Sequence, residues 1–127
     1  MPFYQPIKTR HGILRGREAL VLQHLEYGQG ILKLEATLHL EYTSEGGTGT
    51  EQCFFEFTGV RVWSVTHLDD FRGNLGSSYD EVQGSLWLET AVLEPTRVRQ
   101  YQVLCMFEVL EVLCERASLR IITSRVV

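Results

Sequence analysis

The stretch from Ile31 to Tyr42 constrains this chain more than any other. Its even positions are Leu32, Leu34, Ala36, Leu38, Leu40 and Tyr42; the odd positions between them are Lys33, Glu35, Thr37, His39 and Glu41. Successive side chains of a strand point to opposite faces, whereas a helix would scatter these two sets around its circumference. The alternation therefore predicts an antiparallel strand with one buried face and one wet face. Such a strand needs neighbours, and a second layer against its apolar side.

The neighbours are legible on both sides. Gly28-Gln29-Gly30 offers the positive φ angles of a tight hairpin, which makes Ala19 to Tyr27 the partner strand. Ser44 to Thr50 reads as a flexible loop and leads into a strand near Glu51, where Cys53, Phe55 and Phe57 share a face opposite Glu56 and Thr58. The phase breaks at Gly59, and a glycine at a phase shift predicts a β-bulge that re-aims Arg61, Trp63 and Val65. His67 to Glu81 reads as an irregular crossing segment with a short helical turn. Gln83 to Leu93 resumes alternation until Glu94-Pro95 ends it, because proline cannot donate to a ladder.

The last third supports two readings. Tyr101, Val103, Cys105, Phe107 and Val109 alternate as a strand, while Met106, Val109, Leu110, Leu113, Cys114 and Ala117 also form a helical stripe. The valines and isoleucines around this run favour strand. Ser118 to Val126 reads as a final strand. The expectation is an all-β chain, with at most one short helix, of six to eight antiparallel strands in a β-sandwich or a strongly bent sheet. Its 127 residues suffice for one core and too few for two ordinary domains, so residues 1–127 form a single β-rich domain.

Charge is unevenly placed. The net value is −4, yet residues 1–33 carry +3, residues 34–95 carry −9 and residues 96–127 carry +2. A general nucleic-acid binder is excluded by this balance. The acidic middle either lies beside the basic ends, so that the charges offset, or forms an exposed surface that attracts a basic partner. The acids in or beside loops are the candidate partner-binding residues: Glu45, Glu51, Asp69, Asp70, Asp80 and Glu81.

Catalytic and cofactor motifs do not stand out. Gly28-x-Gly30 lacks the third glycine of a dinucleotide loop, and Gly46-Gly47-Thr48-Gly49-Thr50 lacks the ending of a phosphate loop, so both read as turns. Ser64, His67 and Asp69 are close in sequence, but a triad needs convergence in space. His67, Asp69 and Asp70 place an imidazole and two carboxylates within four residues, without a second cluster to complete a metal site. His39 shares a polar face with Glu35, Thr37 and Glu41. Cys53, Cys105 and Cys114 lie in apolar runs, odd in number and without a paired motif, which reads as buried free thiols in a reducing compartment. Trp63, Trp87 and Tyr79 are the rings that could stack on a sugar or a small ligand. No apolar run is long enough to span a bilayer as a helix. These readings imply a non-enzymatic, cytoplasmic protein without a cofactor.

Three segments carry a resemblance. Gly30-Ile-Leu-Lys-Leu-Glu, Phe55-Glu-Phe-Thr-Gly-Val-Arg-Val-Trp-Ser-Val and Leu110-Glu-Val-Leu-Cys-Glu-Arg-Ala-Ser-Leu-Arg-Ile, in this order, resemble the small β-rich immunity proteins found beside bacterial polymorphic toxins. The resemblance spans about residues 11–125 and carries over no catalytic residue. It implies a cytoplasmic protein that binds a toxin and blocks it, and the acidic middle suits a basic toxin domain. The other reading is a β-sandwich that binds a small ligand or carbohydrate through Trp63 or Trp87. An uncharged sheet edge would also permit a homodimer.

Overall fold

A computed structural model describes residues 3–73, 75–85, 87–88 and 97–123. The fold is all-β and antiparallel. Strands β1 (Phe3–Pro6), β2 (Lys8–Thr9), β3 (Gly12–Ile13), β4 (Leu20–Gly28), β5 (Ile31–His39) and β6 (Thr50–Thr58) fill the first half of the chain. Strands β7 (Val62–His67), β8 (Tyr79–Gln83), β9 (Arg99–Leu104), β10 (Glu108–Cys114) and β11 (Arg116–Thr123) follow. One sheet has the order β11-β6-β5-β4 and the other β1-β8-β9-β10-β7, while β2 and β3 form a separate pair. The described strands exceed six to eight because β1, β2 and β3 are short pieces of a segment in which no alternation was visible.

The expected β4–β5 hairpin is present. Gly28 faces Ile31, and the two residues between them, Gln29 and Gly30, have φ of 52° and 74°. Both lie in the left-handed region, as the two-residue turns that match strand twist require. Three inward rows then cross the four-stranded sheet: Leu22–Ala36–Cys53–Ile121, Leu25–Leu34–Phe55–Leu119 and Tyr27–Leu32–Phe57–Ala117. Opposite them stand Tyr79, Tyr101, Val103, Leu110, Val112 and Cys114 of the five-stranded sheet, in the same buried cluster. Aromatic rings lock the two layers together. Phe55 meets Tyr79 edge-on at 4.7 Å between centroids, and Phe57 meets Tyr101 at 5.9 Å.

The chain passes between sheets at Gly59, which is where the phase breaks, but the device is a corner and not a bulge. β6 ends at Thr58, Gly59 turns with φ 65°, and the Arg61 N–H already donates to the Leu113 carbonyl of the other sheet at 2.8 Å. The bulge sits instead in β4, between Leu22 and His24.

Two further expectations are corrected. β8 ends at Gln83, and Trp87 and Leu88 are helical, with the Leu88 N–H donating to the Ser85 hydroxyl at 3.0 Å. The expected strand over 83–93 therefore does not form at its start, and residues 89–93 lie outside the described set. The 101–117 segment is strand, the reading its valines and isoleucines favoured: β9 and β10 form a hairpin turning at Cys105–Phe107, with Val109 facing Leu104. The last strand starts two residues earlier than expected, and residues 124–126 lie outside the described set.

The two sheets differ on their outer sides. Outward rows of the four-stranded sheet are Glu26–Lys33–Glu56–Ser118 and His24–Glu35–Phe54–Arg120, all exposed or half-exposed. Outward rows of the five-stranded sheet are Pro6–Asp80–Gln102–Glu111–Ser64 and Tyr4–Val82–Gln100–Leu113–Val62. In their middle, Asp80, Val82, Gln100, Gln102 and Leu113 are all buried. The five-stranded sheet is thus buried on both faces.

Candidate functional site

The six acids singled out from the sequence divide into two groups. Glu45, Asp69 and Asp70 are exposed. Glu45 lies in the turn after Thr43, where its N–H donates to the His11 carbonyl at 3.3 Å. Asp69 and Asp70 belong to a 3-10 turn, Leu68–Asp70, that β7 runs into. The His67 ring caps this turn, its Nδ1 accepting from the Asp69 N–H at 3.3 Å. A short acidic turn with exposed carboxylates follows from the local sequence.

The other three are not loop residues. Glu51 is two residues before Cys53 and therefore points inward, in the register row Leu20–Leu38–Glu51–Thr123. Its carboxylate is 8% exposed and is met at 2.7 Å by both Arg10 Nη2 and His11 Nε2. A charge buried to this extent must be paired. Glu81 lies in β8, with Arg99 Nη1 at 2.9 Å from its Oε1. Asp80 is fully buried. Burial pushes its carboxyl up to about 6, which the nearby Ser77 backbone and hydroxyl oppose; among the described residues neither carboxylate oxygen has a closely bonded partner. Glu51, Asp80 and Glu81 thus lack the exposure expected of them.

Asp69 borders the one feature of this region that combines charge with an exposed apolar anchor. A cleft of about 320 Å³ is lined by Arg17, Glu18, His67, Leu68, Asp69, Met106 and Phe107. Phe107 is 55% exposed at the tip of the β9–β10 hairpin. The tip is pinned on both sides. The Leu68 N–H donates to the Phe107 carbonyl and the Met106 N–H to the Leu20 carbonyl, each at 2.8 Å, while the Cys105 N–H closes the turn on Glu108 at 2.8 Å. A large ring is therefore held in water by a fixed backbone, among side chains of both signs. Sequence reasoning missed Phe107 because it is in phase with Tyr101 and Val103 and looked buried. No glycine, proline, asparagine or aspartate marks the turn; its geometry comes from bonds to Leu20 and Leu68, which are distant in sequence.

The other candidates settle as follows. Ser64 and His67 lie an odd number of residues apart on β7 and so occupy opposite faces, which separates the members of the supposed triad. Among the described residues, no group of three His, Cys, Asp or Glu is arranged to hold a metal ion. The three cysteines are buried, and burial pushes each thiol up to about 12, far from a reactive thiolate. Tyr79 is a core ring. Trp63 is half-buried and packs on Tyr27 at 5.5 Å between centroids, and Trp87 is half-buried. The uneven charge is partly offset, because Arg10 reaches Glu51 and Arg99 reaches Glu81. The exposed acids that remain in the middle include Glu41, Glu45, Glu56, Asp69 and Asp70.

No family model, no curated protein and no solved structure matches this chain, so its site is read from its own geometry alone.

Proposed function

We propose that this chain is a non-enzymatic protein-binding module that engages its partner through Phe107 and the acidic turn at Asp69 and Asp70. The supporting observation is the pinned, solvent-facing Phe107 beside carboxylates that, among the described residues, have no ion-pair partner other than His67. Interface energy concentrates on aromatic anchors that fill a pocket on the partner, and surrounding charge speeds encounter. A rigid anchor loses little conformational entropy on docking. The partner is then a protein with an apolar pocket set in a basic surface. On the resemblance of the sequence to immunity proteins, that partner is a toxin domain, and the chain acts in the cytoplasm by occluding it.

The test is direct. The product of the neighbouring reading frame is expressed with and without this chain, and the purified pair is titrated by calorimetry. The expected result is protection from toxicity and tight binding, with Phe107→Ser weakening affinity by roughly 30-fold or more. Asp69→Lys with Asp70→Lys should mainly slow association and reduce its salt dependence. A neighbouring product that is neither toxic nor bound overturns the toxin reading. Binding that ignores Phe107→Ser overturns the assignment of the surface.

A further inference from the structure

Among the described residues the two main sheets end in four edge strands: β11 and β4 on one, β1 and β7 on the other. An unpaired edge is a template for another strand, and stable proteins blunt it with proline, bulges or charge. Three of these edges are blunted. β1 contains Pro6. β4 carries a bulge between Leu22 and His24, with Glu26 beyond it. β11 carries Arg116 and Arg120.

β7 has none of these devices. Its sequence, Val62-Trp63-Ser64-Val65-Thr66-His67, holds no proline, lysine, arginine, aspartate or glutamate, and it has no bulge against β10. Val62 and Val65 are each 38% exposed. The Leu68 N–H bonds to the Phe107 carbonyl, and those two residues continue the β7–β10 register. Bonded pairs alternate along an antiparallel ladder, so Trp63, Val65 and His67 turn their backbone groups to the open edge.

We infer that β7 is a homodimer edge, pairing antiparallel with β7 of a second copy about a two-fold axis at Val65. This register sets Trp63 opposite the second copy's His67 and Val65 opposite itself, joining two five-stranded sheets into one. What selects a second copy as occupant is charge. Arg61 precedes the strand by one residue and Asp69 follows it by two. Both are four residues from Val65, so the axis that pairs Val65 with itself sets each Arg61 beside the 3-10 turn that carries the other copy's Asp69. Arg61 is 60% exposed and its contact with Glu115 is long; the Asp69 side chain is 79% exposed. The edge is thus self-complementary: apolar at its centre, cationic at one end and anionic at the other.

The full chain alone tests this by sedimentation velocity over a concentration series. The expected species at high concentration has twice the 14.6 kDa mass of the chain. Val65→Lys, at a half-open position, should give a monomer with an unchanged circular dichroism spectrum. Asp69→Arg should weaken association by roughly tenfold, and Arg61→Glu combined with Asp69→Arg should restore it. The charge variants are exposed substitutions and keep the test valid if Val65→Lys misfolds. A chain that stays monomeric overturns the inference. So does a dimer indifferent to both the Val65 and the charge variants.

Discussion

The two sheets share a core but solve different problems. The four-stranded sheet has one dry and one wet face, and β5, β6 and β11 alternate accordingly, while β4 loses the alternation at its bulge. The five-stranded sheet is buried on both faces along β9 and β10, where the burial pattern of Arg99–Leu104 reads exposed, then buried five times in succession. A strand covered on one side needs apolar residues at every second position, whereas one covered on both needs them at all positions or must satisfy polar ones internally. β9 does the latter with Gln100 and Gln102. Gln100 accepts a hydrogen bond from the Ser85 hydroxyl and donates to Glu111 at 3.2 Å. Its outer face is therefore a second, polar interior.

The largest test of this difference places the same charge on the outer face of each sheet. Leu113→Lys puts an ammonium where exposure is zero, while Thr37→Lys puts it on the half-exposed wet face. Leu113→Lys should destabilise by about 4 kcal/mol, through lost burial and an unpaired buried charge. Thr37→Lys should stay within about 0.5 kcal/mol. Urea unfolding of both variants checks this, and similar midpoints would show that the outer face of the five-stranded sheet is wet.

The contrast also explains what the sequence disclosed. The Ile31–Tyr42 alternation predicted β5, its hairpin and its inward row because one wet face leaves a clean period of two. The same period, carried back from Cys53, puts Glu51 on the inward face, but its charge beside the Ser44–Thr50 loop made it read as a surface acid. Only the fold brings Arg10 and His11, some forty residues away, to neutralise it. β10 was ambiguous because burial on both faces makes Val109, Leu110, Val112 and Leu113 consecutive apolar pairs, which fit a helical stripe equally well. Phe107 was misplaced because its turn is fixed by tertiary hydrogen bonds and not by turn residues.

A second test concerns the polar interior. Asp80 packs so closely on Gly76 that a methyl group there would lie 2.2 Å from Oδ2 and 3.0 Å from the Tyr4 Cβ. Gly76→Ala should cost about 2 kcal/mol, and Asp80→Ala in the same chain should return part of it, because the nearest obstruction is then gone. Additive costs in a double-mutant cycle would mean that Tyr4 and not the carboxylate sets the limit.

The third test reads the same carboxylate by pH. Asp80 titrates near 6 in the fold and near 3.8 when exposed, because burial penalises its charged form. Its contribution thus favours the fold most below about 4 and is lost as pH rises through 6. Glu111, raised by burial in the same row, shifts in the same sense. Asp80→Asn should therefore stabilise by about 1–2 kcal/mol at pH 8 and change little at pH 4. Thermal melts across this range check it, and a pH-independent difference would mean that the carboxylate is solvated.

The smallest effect belongs to the wet face. Arg120 lies 5.2 Å above the Phe54 ring, and Phe54 stands between Arg120 and Glu35 in an outward row of the four-stranded sheet. A cation over an exposed ring contributes about 0.5 kcal/mol, and the cross-strand neighbours share what remains. Arg120→Ala should therefore lower stability by about 0.5 kcal/mol. Arg120→Lys should recover only part of it, because an ammonium keeps the charge but not the flat stacking surface. Chemical denaturation of both variants measures this. A loss above about 1.5 kcal/mol would mean that this row is dry, and the wet-and-dry contrast between the sheets would then fail on the side where the sequence read it most clearly.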